Sequence, residues 1–343
     1  MSGIIEFKEI AKRIYAKYDA YLNPIFKFIL SMIILCVINA KIGYMSKIDN
    51  IFVVLILALL CSFLPMPVTA VVTGLFILLH LYALSVECAL VAGVLLFLMF
   101  LLYVRFVPKE TIVVLLTPIL FLLKMPYLMP VAMGLLGGPA SVISVSFGVI
   151  VAYLIEFVSA NSTTFTSLDD GNMVSRIRLI VDGLLGNKPM FVMIIVFAVT
   201  LIIVYTIRRR AINYAWTIAI VSGTVVNVVI LLMSDLVLDL GYSVPGILIG
   251  SIVGVAVCIV LQFFNFNLDY DRSENLQFED DDYYYYVKAV PKVTLELANR
   301  KVKKVSTRRP ESSSSRTSTG APRSAGTVRT VHTANGTTRT MKK

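Results

Sequence analysis

Residues 111–138 read TIVVLLTPILFLLKMPYLMPVAMGLLGG, with Lys124 as the sole charge. A run this apolar belongs in a bilayer or a protein interior. It cannot be one continuous helix, because Pro118, Lys124-Met125-Pro126 and Pro130 interrupt it. Proline removes a backbone donor and clashes with the preceding turn. Two forms fit. Either two short helices cross the membrane, or the segment re-enters as a hairpin. Re-entry demands protein or a water-filled cavity around the non-helical backbone. Both forms start and end on one side, so the topology of the remaining chain is the same for each.

Working outward, apolar runs at 24–40, 51–64, 68–85 and 88–104 precede this stretch, and runs at 140–158, 190–206, 213–234 and 245–264 follow it. A helix needs about 20 apolar residues to cross the hydrocarbon core. The 51–64 run is shorter and stops at Pro65-Met66-Pro67. The composition agrees with lipid as the solvent: mean hydropathy is +0.83 and only 15% of residues are charged, against about a quarter in a soluble domain. The expected fold is an all-α polytopic integral membrane protein, with about 8 full spans plus the proline-broken hairpin that either crosses or re-enters.

Four regions follow from this reading. Residues 1–23 form an amphipathic helix, with Ile4, Phe7, Ala11, Ile14, Tyr18 and Tyr21 on one side and Lys8, Glu9, Lys12, Arg13 and Lys17 on the other. Such a helix either lies on the membrane surface, cations toward anionic headgroups, or packs on the protein's own loops. Residues 24–264 are the transmembrane domain, with an outer loop at 159–189. Residues 265–298 form an acidic and tyrosine-rich segment. Residues 299–343 form a basic tail, with twelve Lys and Arg between 300 and 343 against Glu311 alone. Too few apolar residues remain there to fold, so disorder is expected.

The basic clusters set the orientation. Placing the N-terminus inside puts the N-terminal segment, Arg105 and Lys109, Arg208-Arg209-Arg210 and the tail all on the cytoplasmic side. Both termini are then cytoplasmic. Lys41 and Lys47, on the outer side, run against the trend.

Soluble catalytic signatures are missing: there is no phosphate loop, no GxSxG, no HExxH and no dinucleotide fingerprint. The chain is expected not to be an enzyme, and to need neither a metal nor a cofactor. Cys36, Cys61, Cys88 and Cys258 lack CxxC spacing and read as small buried hydrophobes. Ionisable groups near spans are the better clue, since charge in lipid is costly. His80, Lys124 and Glu156 form the candidate intramembrane polar site. His80 and Glu156 lie near span ends, where an interfacial hydrogen bond is the simpler role. A re-entrant hairpin would hold Lys124 at membrane depth, able to meet an anionic group or pair with Glu156.

Gly246, Gly250 and Gly254 recur every four residues and mark a helix-packing seam, within the fold or between copies in a homo-oligomer. After the last span, Glu279, Asp280, Asp281 and Asp282 are followed by Tyr283, Tyr284, Tyr285 and Tyr286. The aromatic and β-branched run from Tyr283 to Val290 favours an extended strand. It reads either as a docking motif for a cytoplasmic partner or as a cover for the protein's own basic loops. The tail suits an anionic membrane surface better than nucleic acid, because no aromatic follows Tyr286 to stack on bases.

The block Phe278 to Lys292, FEDDDYYYYVKAVPK, joined to the last span, resembles a family of bacterial multi-pass membrane proteins labelled ABC-transporter permeases. The resemblance implies the bacterial inner membrane and a permease-like subunit of a transport system. With no phosphate loop of its own, such a subunit would need a separate cytoplasmic ATPase or ion coupling. The alternative is a membrane scaffold in a cell-envelope or secretion assembly, recruiting partners through its tail. Besides the lipid bilayer, the expected partners are thus an ATPase or envelope-assembly proteins.

Overall fold

The structure is a computed structural model that describes residues 2–167, 173–210, 212–265, 274–279 and 284–289. Among these residues, twelve helices run in chain order: α1 (Ser2–Ile42), α2 (Ile51–Phe63), α3 (Met66–Leu84), α4 (Val86–Phe106), α5 (Thr111–Leu122), α6 (Leu128–Leu136), α7 (Ser141–Ala160), α8 (Ser162–Ser167), α9 (Met173–Leu185), α10 (Lys188–Arg208), α11 (Ala215–Leu238) and α12 (Val244–Asn265). Among the described residues, seven helical stretches are long and apolar enough to cross a bilayer. The chain is a multi-pass α-helical membrane protein. Seven rather than eight runs reach that length because α2 has only 13 residues, about 20 Å of helix.

The helices alternate in direction, which defines two ends of the bundle. Pro24 and Lys27 of α1 lie beside the far end of α2: the Ser62 hydroxyl donates to the Pro24 carbonyl and Lys27 Nζ to the Leu64 carbonyl, at 2.8 and 3.1 Å. At the opposite end, Met45 N–H donates to His80 Nδ1 and the Tyr242 hydroxyl to the Pro189 carbonyl. Ile42, Leu84, Ala160, Lys188 and Val244 therefore share what is here called the upper end. Phe63, Phe106, Thr111, Arg208 and Asn265 share the lower end. Arg105, Lys109, Arg208, Arg209 and Arg210 all fall at the lower end, as the charge reading expects. Side-chain caps start several helices: Asn50 accepts the Phe52 N–H and Asn187 the Met190 N–H, meeting donors that a helix start leaves open.

The 111–138 stretch forms a broken helical hairpin. α5 and α6 have 12 and 9 residues, about 18 and 14 Å, against a hydrocarbon core of about 30 Å. Neither arm is long enough to cross. Both feet stand at the lower end, where Glu110 accepts from the Ser141 and Ser144 hydroxyls at 2.6 and 2.7 Å and Arg208 donates to the Gly137 carbonyl at 3.1 Å. The turn, residues 123–127, packs against Gly250 of α12, with Leu123 and Lys124 exposed.

Two apolar cores divide the membrane domain. One joins α1 to α5 with α7 and α9. The other joins α5, α6 and α7 with α10 to α12. α5 and α7 belong to both. Gly148 lets them meet, since a Cβ there would collide with the Thr117 side chain. α7 is the axis of the fold, with twelve buried residues.

The described residues of the amphipathic segment 1–23 are helical and are set off from the first span by a kink. The segment continues into the first span as α1, bent where Tyr18 leaves helical geometry (φ −114°, ψ 20°). Phe7, Ile10, Ile14 and Tyr21 stay exposed, so its apolar side is not spent on the protein's own loops. Lys8 is buried, with its ammonium 5.0 Å from the Phe263 ring centre. After α12, β1 (Glu274–Glu279) pairs antiparallel with β2 (Tyr284–Ala289), with Glu279 opposite Tyr284 and Gln277 opposite Tyr286. The extended strand expected from the tyrosine run thus has a partner from its own chain. Asp280, Asp281, Asp282 and Tyr283 lie outside the described residues, as does the basic tail.

Candidate functional site: a cavity at the apex of the hairpin

The turn at the top of α5 is set by hydrogen bonding. Met125 N–H bonds to the Leu120 carbonyl and Lys124 N–H to the Phe121 carbonyl. This is the pairing of a Schellman helix end, whose left-handed position is usually glycine. Here that position is Lys124, with φ 57°. A lysine in this conformation costs roughly 1–2 kcal/mol relative to an unstrained residue. The position accepts strain and carries a charge.

The depth of the apex follows from its neighbour. A Cβ on Gly250 would lie 2.8 Å from the Lys124 carbonyl oxygen and 2.9 Å from the Tyr127 ring. Gly250 is six residues into α12, so the apex sits about 9 Å below the upper end of that helix. A Cβ on Gly254 would lie 3.5 Å from Leu128, an ordinary contact on the same side, whereas one on Gly246 would meet only Ser243, just before the helix. The seam lies inside the fold, against the hairpin, and two of its three glycines form it. A second close approach serves the other arm: Gly134 of α6 would, with a Cβ, come within 2.6 Å of Val204 of α10.

Beside the apex is a cavity of about 1200 Å³, lined by α1, α3, α4, α5, α7 and the upper starts of α10 and α12. Its walls are largely apolar, including Ile38, Ile77, Leu115, Ile119 and Phe147. Its charged groups and several polar ones gather toward the upper end, Lys41, Lys124, Glu156, Asn161, Asn187 and Tyr242, while Thr73 and Tyr103 line it lower down. Lys124 and Glu156 are brought into one cavity, both exposed to it. No ion pair within 4 Å joins them, and among the described residues neither has another such partner.

His80 stands apart from them. It is fully buried, receives the Met45 N–H at 3.3 Å and meets Phe76 edge-on at 4.8 Å. It fastens the 43–50 loop to α3 and does not line the cavity. Three tyrosines that the sequence reading passed over do line it: Tyr127, Tyr153 and Tyr242. Tyr242 donates to the Pro189 carbonyl at 2.9 Å. Burial pushes the Tyr242 phenol above its ordinary value, with the Asp235 carboxylate adding to the shift. It therefore stays neutral at physiological pH. Asp235 accepts the Tyr242 N–H at 2.9 Å and so fixes this loop over the cavity. No feature of the sequence joins residues 127, 153 and 242, and only packing assembles them.

Two further polar clusters were not legible as sites. Glu110 at the lower end clamps the hairpin's foot to α7. The Glu87 side chain is only 12% exposed and lies 3.7 Å from Arg176 of α9, itself 10% exposed. That pair ties the amphipathic α9 across the top of α4. Among the described residues, no cluster of His, Cys, Asp and Glu could hold a metal ion, and all four cysteines are free. No family model, no curated protein and no solved structure matches the chain.

Proposed function

We propose that the protein is a permease-like membrane subunit of a transport system, and that its substrate passes through the cavity beside the hairpin apex. The observation that carries this reading is Lys124: a strained, charged residue at the tip of a hairpin too short to cross, facing a large cavity shared with Glu156. Structural economy would place glycine or an apolar residue there. Binding chemistry explains the charge, because an intramembrane cation normally marks a path or a ligand. Broken helices whose backbone lines a cavity are the usual framework for such sites. The lower end, with its arginine clusters, is the cytoplasmic side in this reading, and the membrane is the bacterial inner membrane. Energy comes from a separate ATPase or from an ion gradient, since the chain has no phosphate loop.

A scaffold role in an envelope or secretion assembly is the second reading, favoured by the hairpin β1–β2 that follows the last span. One experiment separates the two. The protein is cross-linked in native membranes through the 274–289 hairpin, and whatever is captured is co-reconstituted with it into vesicles. Capture of an ATPase, with ATP-driven solute or lipid movement that Lys124→Ala abolishes, supports transport. Capture of envelope components, with no movement under ATP or an ion gradient, overturns it in favour of the scaffold.

A further inference from the structure

The cavity's shape and charge narrow what it can hold. Its apolar part runs along α7 from Phe147 to Glu156, about 14 Å of helix. Leu75 and Phe97 line it while remaining 55% and 61% exposed on the outside of the bundle. The wall therefore borders the zone where lipid tails lie, and a hydrocarbon chain can enter sideways without crossing a polar barrier. The charged groups of the lining, Lys41, Lys124 and Glu156, sit only toward the upper end. Two cations, Lys41 and Lys124, face one carboxylate, Glu156, so the balance of formal charge there is positive. Lys41 is also one of several upper-end cations, with Lys47, Arg176 and Lys188, and of these it alone lines the cavity. A cation on the wrong side of a membrane protein needs a reason other than topology. A ligand anion supplies one, and for Lys124 it also answers the strained backbone.

We propose that the cavity binds an anionic amphiphile, with its phosphate-type headgroup at Lys41 and Lys124 and its hydrocarbon chain in the slot between α3, α4, α5 and α7. This rests on the reading of the cavity as the substrate path and names the substrate class. A zwitterionic headgroup is discriminated against because its own cation would sit among the two lysines. Glu156 opposes the anion by like charge, which moderates the affinity and lets the ligand leave.

The test is native mass spectrometry of the full-length protein released from a neutral detergent. The probes are dioleoyl phosphatidic acid, dioleoyl phosphatidylcholine and inorganic phosphate, each titrated separately. Wild type is expected to retain one phosphatidic acid in preference to phosphatidylcholine. Lys124→Gln should weaken that binding about tenfold, the value of one charge-assisted contact, and Lys41→Gln combined with it should weaken it further. Glu156→Gln should strengthen it. Gly74→Phe serves as the cavity-filling control, checked by an unchanged unfolding midpoint: Gly74 lines the cavity and a Cβ there meets nothing within 4 Å, so a side chain leaves the backbone into open space. It should abolish retention.

Equal retention of phosphatidylcholine, still abolished by Gly74→Phe, would overturn the headgroup assignment and leave the cavity as a general amphiphile path. Retention unaffected by Gly74→Phe would remove the cavity as the binding site and the transport reading with it. Displacement of phosphatidic acid by millimolar inorganic phosphate would show that the headgroup alone is recognised and overturn the role of the hydrocarbon slot.

Discussion

Replacing Lys124 with glycine separates the structural cost of this residue from its use. In the left-handed conformation at φ 57° a lysine carries about 1–2 kcal/mol of steric strain that glycine does not. Against this, glycine gains more freedom in the unfolded chain, worth about 0.5–1 kcal/mol. The hydrogen bonds of the turn, Met125 to Leu120 and Lys124 to Phe121, use backbone atoms only and survive the change. The net expectation is a gain of about 0.5–1 kcal/mol, a two- to fivefold shift in the unfolding equilibrium. Lys124→Ala removes the same charge but keeps a Cβ in the strained geometry, so it should gain little. The assay is reversible unfolding in mixed micelles, run on wild type and both variants, beside phosphatidic acid binding. Glycine should be the most stable and both variants should bind weakly. Equal stabilisation by alanine and glycine would show that relief of the charge, not of the backbone, is responsible. A destabilised glycine variant would refute the turn assignment outright.

Glu110→Ala should lower stability by about 2 kcal/mol, since two hydroxyl bonds to a partly buried carboxylate are lost; thermal unfolding of the purified protein reads it, and a neutral result would mean that the hairpin's foot is held elsewhere. Gly250→Leu should destabilise by about 1–3 kcal/mol through collision with the Lys124 carbonyl and the Tyr127 ring. Gly246→Ala should be close to silent in the same melt, and equal effects would contradict the internal seam. Glu87→Ala should cost about 2–3 kcal/mol, because Arg176 keeps its charge in a largely enclosed place; Glu87 and Arg176 replaced together should cost less than the sum, as a double-mutant cycle would show. Asn227 is fully buried, and among the described residues neither its amide oxygen nor its nitrogen has a hydrogen-bond partner, so Asn227→Leu should raise the melting temperature. A fall would mean that the amide is satisfied by something other than protein.

Length and polarity along the chain were enough to establish that this is a multi-pass helical membrane protein, and to mark 111–138 as its irregular element. These are local properties: about 20 apolar residues must span lipid, and prolines must break what they interrupt. The same logic singled out Lys124 and Glu156, because an ionisable group near a span is conspicuous wherever its partners lie. Tertiary structure alone decided that the hairpin's feet stand together at the Glu110 and Arg208 end, that Gly250 lies against its tip, and that His80 serves a loop instead of the cavity. Tyr127, Tyr153 and Tyr242 were invisible as a group for the same reason: hydropathy records how each helix meets its solvent, not which faces of which helices meet. Those contacts depend on the rotation and register of helices far apart in the chain. The spacing of residues within any one of them does not contain that information.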